Sequence, residues 1–370
     1  MPTNRAAYLT AKSARPLEVR VAPYTPPGAN EIVVKTGAIA VNLLDWAKQV
    51  SGDIMYTWIK YPFVLGSDVA GTVVEVGTGD AEKIFRVGDR VVGFAAGMDK
   101  RSNKASEGAF QEYAVLRTNL SSKIPDSLTF EKACVLPMGL STAACGLFMK
   151  DYLALKYPTT PPVSTGETLV VWGGSTSVGC NAIQLAKAAG YEVVTTASPK
   201  NFELVKSLGA SQVFDYHSPE AISDIITALN GKTCAGAFAI GNGSLEACME
   251  IVSASKGRKF VAQATVPIDM SKMQGWNVLP SFVGMVTWNI SMAVKARFSR
   301  VTTKFIWGSD TIANEVGRAV FTDFLPAALA SGEFRAAPEP QVVGKGLESI
   351  QEALDLNMKG VSAKKLVVTM

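Results

Sequence analysis

The sequence predicts an α/β protein: a doubly wound parallel sheet joined to a second, mostly antiparallel β domain. Three observations carry this. At 370 residues the chain is too long for one ordinary core. Its first third is dominated by short strand-like runs between glycine and proline turns. From Thr168 onward strand and helix patterns alternate in two successive βαβ steps, which a parallel sheet requires.

Taken in order, runs at 6–10, 17–21 and 31–36, with the turn Pro26-Pro27-Gly28 between them, read as strands of a small antiparallel domain. Further strands are expected at 68–76, 90–94 and 111–116, separated by turns such as 77–79 and Val87-Gly88-Asp89, so residues 1 to about 125 read as all-β. Near Ser127 the composition shifts. Residues 129–136 and 141–153 read as helices, and 158–162 as the loop leading to the first parallel strand. The expected domains are 1–128, 129–315 and a return to the first over 316–370.

The stretch 168–190, TLVVWGGSTSVGCNAIQLAKAAG, is strand, tight turn and helix. A β-branched apolar run ends at Trp172, Gly173 and Gly174 break it, and apolar residues then recur at helical spacing through Ile183, Leu185, Ala186 and Ala189. A helix starting at such a turn directs unpaired amides and its positive dipole end at the turn, which suits a pyrophosphate. The dinucleotide fingerprint G-x-G-x-x-G is incomplete: Gly174 and Gly179 are kept, but Thr176 stands where the middle glycine belongs. The alternative is a turn whose glycines only permit close packing. The context favours the nucleotide site, since a second run (191–196), a helix ending at Leu208-Gly209-Ala210 and a third run (212–216) follow at once. Beyond them a helix is expected near 219–229, a strand at 236–240, a helix at 245–252 and a strand at 258–263. From 266 to about 311 the pattern loosens around Trp276, Trp288 and Trp307, which read equally as a bulky apolar pocket or as core or dimer-interface residues. A helix over 350–356 and a strand over 365–369 close the chain.

Lys and Arg exceed Asp and Glu by only 36 to 32, and no basic tract carries interleaved aromatics, so nucleic acid is not an expected partner. No secretory signal opens the sequence and no run reaches the roughly 20 apolar residues of a membrane span. The longest candidate, 281–294, is interrupted by Trp288-Asn289. Five cysteines without a C-x-x-C pair read as reduced thiols, and the expected location is cytoplasmic. The second strand ends in Thr195-Thr196-Ala197-Ser198-Pro199-Lys200, without the carboxylate that holds a ribose diol in NAD sites. Ser198 and Lys200 can instead donate to a 2′-phosphate, which selects NADPH.

Several local signatures now occur in a fixed order: Ala40-Val41-Asn42-Leu43-Leu44-Asp45-Trp46, Leu65-Gly66-Ser67-Asp68-Val69-Ala70-Gly71, Val87-Gly88-Asp89-Arg90-Val91, Leu136-Pro137 with Ser141-Thr142-Ala143, and Ala363-Lys364-Lys365-Leu366-Val367-Val368. With them the whole chain resembles the medium-chain dehydrogenase/reductase superfamily. Within it the chain is similar to the zinc-free quinone-oxidoreductase branch, and most to fungal trans-acting enoyl reductases. The resemblance implies a GroES-like first domain and a Rossmann second domain. It implies cofactor contacts from Asn42, Ser141 and Thr142, from the turn Gly174, Ser175, Thr176, Ser177, Val178 and Gly179, from Ser198, Lys200 and Tyr216, and from Ile240 and Lys364. Turn formation or capping is the bland role of Asn42 and Thr142.

Zinc enzymes of this superfamily hold their metal near positions that here carry Asn42, Ser67 and Met138, and the four-cysteine lobe is missing between Phe94 and Gln111. No metal site is expected, because zinc needs three protein ligands. A conjugated C=C bond dispenses with a metal, since a neutral donor in a dry site stabilises the enolate left by hydride addition. The candidate donor is Tyr56, then Lys48, with Tyr61 nearby and Thr142 beside the cofactor; a tyrosine making a structural hydrogen bond is the competing role. Asp45 and Asp68 read as scaffold, and His217 as a surface residue without a partner. The expected function is NADPH-dependent reduction of an enoyl or enone double bond in secondary metabolism. An NADPH:quinone oxidoreductase and a non-catalytic NADPH-binding protein are the alternatives. The expected partner is a small-molecule substrate, apolar or carrier-bound, acted on by a monomer or homodimer.

Overall fold

The computed structural model describes residues 2–265, 269–273 and 277–370. The chain forms two compact units: the residues up to Met138 together with Ile312–Met370, and Gly139–Thr311.

The second unit holds a six-stranded sheet in the spatial order Gln212–Asp215, Glu192–Ala197, Glu167–Trp172, Thr233–Ala239, Phe260–Gln263, Thr302–Phe305. Every neighbouring pair is parallel. In chain order this reads 3-2-1-4-5-6, the doubly wound arrangement whose order reverses at the first strand and opens a crevice at the strands' carboxyl ends. The three central strands are buried nearly throughout, as in a parallel sheet covered on both faces. On one side Val170, Val194, Ala237 and Val261 pack with Ile225, Leu245, Cys248 and Ile251 into one buried cluster.

The stretch read as loose contains the helix Val278–Ser299, and the sixth strand follows it. Only Met292 of this helix is fully buried. Leu279, Phe282, Val283, Ile290, Val294 and Phe298 are exposed, the last to 83%. Residues 278–294 carry no charge. A helix apolar nearly all round lacks the one-sided periodicity by which a helix is read, which is why the pattern there looks loose. Trp288 donates its indole N–H to Glu246 at 2.9 Å and packs beside the buried cluster; Trp276 lies outside the described residues.

The first unit is built on an antiparallel-rich sheet ordered Glu339–Lys345, Lys364–Thr369, Glu31–Ala40, Asp68–Val76, Arg90–Phe94, Ser121–Lys123, with Tyr113–Arg117 also paired to Glu31–Ala40. A smaller sheet joins Glu18–Ala22, Asn4–Leu9 and Phe63–Val64. The carboxy-terminal return thus ends inside the first sheet, with Val367 opposite Ala40. The region is not all-β, because helices Leu43–Ser51 and Asp80–Ile84 interrupt it. The first segment of the compact unit runs to Met138. The Phe130–Ala133 helix belongs to this unit: the Phe130 ring fills the space above Gly37, where a Cβ would lie 2.4 Å away. The Arg90 guanidinium lies 4.6 Å from the centre of that ring and donates to the carbonyls of Pro125 and Leu128. All five cysteines are buried as free thiols, and none of the helices among the described residues is long and apolar enough to cross a membrane.

Candidate functional site

In the second unit the glycine turn joins Glu167–Trp172 to the helix Ser177–Ala188. Gly173 has φ +87°, a conformation glycine adopts without strain. Its N–H donates to Thr196 Oγ1 at 3.0 Å, and the Gly174 N–H to the Thr196 carbonyl at 2.8 Å. Thr176, in the place of the missing glycine, is the helix N-cap: its hydroxyl donates to the Gly173 carbonyl at 2.8 Å and accepts from the Gly179 N–H at 3.0 Å. A Cβ on Gly174 would meet Thr195 Oγ1 at 2.2 Å, and one on Gly179 the Gly173 carbonyl oxygen at 2.3 Å. The helix start also leaves two buried polar atoms without a partner, Ser177 Oγ and Asn181 Oδ1. Bare backbone and a helix N-terminus fit a dinucleotide pyrophosphate, whereas Asn181 Oδ1, an acceptor, offers it nothing.

The strand ends beside this turn complete the arrangement. Ser198 donates to the Tyr216 hydroxyl at 3.2 Å; Tyr216 is 43% exposed and Lys200 is exposed. Asn201, which the sequence reading passed over, donates to Ser175 at 3.4 Å and so ties the second strand's end to the glycine turn. Only its place three residues past Ser198 could have signalled it. His217 does have a partner, contrary to expectation: Asp215 faces its Nδ1 at 2.9 Å and accepts its backbone N–H, which holds the Asp215 carboxyl below the usual range. Ile240 closes the fourth strand, its N–H on the Trp172 carbonyl. Ser141 is buried and occupied, donating to the Gly308 carbonyl at 2.6 Å and lying 2.6 Å from Thr311 Oγ1. Thr142 packs on Gly308, where a Cβ would fall 2.4 Å from its hydroxyl.

In the first unit Asn42 starts the Leu43–Ser51 helix, and Asp45 accepts its N–H at 2.8 Å. The Asn42 amide donates to Asp68 Oδ2 at 3.0 Å and accepts from Lys365 Nζ. Lys365 lies 2.9 Å from the same carboxylate, and Asp68 Oδ1 accepts the Met138 N–H at 2.6 Å. This buried ion pair is hydrogen-bonded on every side, as burial of charge demands. It does not fit a divalent cation: Asn42 is spent, an ammonium already faces Asp68, and no group of three or more His, Cys, Asp or Glu side chains comes together among the described residues. Lys365 was missed. Its signal was a lysine facing inward on an otherwise buried strand, next to the exposed Lys364. Asp45 is wholly buried with Oδ1 unpartnered, and burial, then the neighbouring Asp68, push its carboxyl up to about 7.

The turn after this helix carries the other candidates. Tyr56 is 7% exposed, at φ +51°, its ring edge-on to Trp58 at 5.5 Å. Burial, then the Asp45 and Asp99 carboxylates, raise its phenol well above the ordinary value. Tyr61 donates to Asp53 at 2.8 Å. Lys48 is wholly buried, and its ammonium donates to the carbonyls of Gly52 and Met55 at 2.8 and 3.0 Å, with that of Tyr56 at 3.4 Å. Burial draws it below the usual lysine range.

The comparisons agree with this class of protein. Residues 28–126 match the alcohol dehydrogenase GroES-like domain family and residues 177–293 the zinc-binding dehydrogenase family. The chain belongs to the medium-chain dehydrogenase/reductase superfamily, whose members bind a nicotinamide cofactor, and is an oxidoreductase of that family. It is similar to the dehydrogenase pigH of Monascus ruber, 56% identical over 100% of both chains. It is also similar to the trans-enoyl reductase himH of Aspergillus japonicus, 39% identical over 99% of this chain and 97% of that one. Among solved structures it is similar to an alcohol dehydrogenase superfamily protein from Novosphingobium aromaticivorans, with a TM-score of 0.72 and 26% identity over 100% of both chains.

Proposed function

We propose that the chain is an NADPH-dependent reductase of a conjugated C=C bond, acting on an enoyl or enone substrate in secondary metabolism without zinc. The observation that carries this reading is Tyr56: a buried phenol whose ionisation its surroundings oppose, and hence a neutral donor at physiological pH. The name of the himH relative supports the same chemistry.

In this reading Gly174, Ser175, Thr176, Ser177, Val178 and Gly179 receive the pyrophosphate at the helix start. Ser198, Lys200 and Tyr216 receive the 2′-phosphate, with no carboxylate at the end of the second strand to repel it. Asn42, Thr142, Ile240 and Lys364 are further cofactor contacts by family position, and Ser141 steadies the Gly308–Thr311 turn through its hydrogen bonds. Reduced nicotinamide, when bound, supplies a hydride. Tyr56 donates a hydrogen bond to the enolate oxygen that hydride addition at the β-carbon leaves on the substrate; a proton from solvent then reaches the α-carbon, so the carbonyl is restored and the double bond is lost. The Lys365–Asp68 pair keeps Asn42 in place and leaves no room for a Lewis acid.

The test is NADPH oxidation with a panel of enones, enoyl esters and quinones, with the product identified and one arm run in chelator. Saturated carbonyl products and unchanged turnover in chelator are expected. An allylic alcohol rejects double-bond reduction, turnover of quinones alone favours the quinone reductase, and loss of turnover in chelator rejects zinc independence.

A further inference from the structure

Lys48 presents an unusual use of a cation. Its side chain is wholly buried, yet the nearest carboxylate, Asp53, lies 3.9 Å away and is itself 53% exposed. The ammonium is instead directed at three carbonyls of one short segment, Gly52, Met55 and Tyr56, and the Tyr61 ring lies 5.2 Å from it. That segment reverses direction at two residues of positive φ, Gly52 at +57° and Tyr56 at +51°. For a tyrosine this conformation is unfavourable and persists only where the surroundings over-determine it. Nζ also closes the end of the Leu43–Ser51 helix, where a cation satisfies the last carbonyls. An ammonium buried without a buried counter-ion is a poor source of stability. Its three protons do, however, fix three backbone points of a loop with no ladder of its own.

We infer that Lys48 is the positioning residue of this site: it clamps the Gly52–Tyr56 turn and thereby aims the Tyr56 phenol. This rests on Tyr56 being the donor. Lys48 acts through the backbone of Tyr56 and holds no proton for the substrate.

The experiment is a double-mutant cycle of Lys48→Met and Tyr56→Phe, read as kcat and as KM for NADPH. Lys48→Met should lower kcat on the order of tenfold to a hundredfold, the cost of a phenol displaced by about 1 Å, with KM for NADPH unchanged. In the Tyr56→Phe background the same substitution should leave kcat unaltered, because the group it aims is gone. Equal losses in both backgrounds overturn the inference, as does a loss confined to KM. A Tyr56→Phe variant of normal kcat rejects the reading of Tyr56 itself, and with it the need to aim it. If Lys48→Met does not fold, Lys48→Gln, which keeps two donors, is carried through the same cycle with the same criteria.

Discussion

Two turns carry the candidate chemistry, and they are held in opposite ways. The Gly173–Gly179 turn is held by what is missing: side chains are absent where backbone strands cross, and the one polar residue that closes it, Thr176, bonds only within the turn. The Gly52–Tyr56 turn is held by what is added, a buried ammonium that reaches back from the preceding helix to three of its carbonyls. A turn built from glycines takes a shape other residues cannot, and here the bonds from Gly173 and Gly174 to Thr196 and from Asn201 to Ser175 hold it there. A turn built on a buried charge leans on that side chain and on the dryness around it, here with added support from the Ile59 N–H on the Tyr56 carbonyl and from Tyr61 on Asp53.

Substitution separates the two. The largest effect is expected at Gly179→Val, because the contacts facing its Cβ are all backbone, at 2.3 to 2.9 Å, and backbone cannot rotate away. We expect a loss of about 3 kcal/mol or more and NADPH binding weakened on the order of a hundredfold, read by thermal melting and cofactor titration; near-parental values would mean that the turn yields. Tyr56→Phe tests the other turn. Turnover should fall by roughly two to three decades while the melting temperature and NADPH affinity hold, and a change in affinity alone would assign Tyr56 to packing. Lys200→Ala should raise the Michaelis constant for NADPH by roughly tenfold, the worth of one charged hydrogen bond, and leave that for NADH in place. Equal shifts with both cofactors would remove Lys200 from the 2′-phosphate.

A pH test concerns Asp45, in the first turn of the Leu43–Ser51 helix that also carries Lys48. Its carboxyl titrates at about 7 in the folded chain, above the ordinary 3.8. Between these values the folded chain holds a proton that the unfolded chain has lost, so stability falls as pH rises from about 4 and the loss is complete above about 7. Asp45→Asn keeps an acceptor for the Asn42 N–H and removes that slope. The variant should match the parent near pH 4 and exceed it by roughly 4 kcal/mol at pH 8, about three pK units at ~1.4 kcal/mol each; a gain largest at low pH would reverse the assignment.

What was legible followed the same division. The glycine turn, the parallel order of its strands and the missing carboxylate at Ser198 were readable because each is written in residue type and spacing over a few positions. The strands at 68–76 and 90–94 were readable from β-branched runs between glycines. The Leu43–Ser51 helix was hidden because its start depends on Asp45 reaching back to Asn42, and the Lys365–Asp68 pair because its members are some three hundred residues apart. The Val278–Ser299 helix was hidden by its nearly uniform apolarity. His217 gained a partner from two residues away, a contact too local for strand spacing to show.

The sheet of the first unit is completed by the last strand of the chain, Lys364–Thr369, which inserts between Glu31–Ala40 and Glu339–Lys345. Without this strand residues 38–40 lose their partner on that side, since Tyr113–Arg117 pairs only with 31–35, and the Asp68 carboxylate loses its ammonium, whereas the six strands of Gly139–Thr311 are all paired without it. Removing Lys364–Thr369 therefore leaves the parallel sheet whole and opens the antiparallel one around a bare buried charge, so damage at this one strand unravels one unit and spares the other.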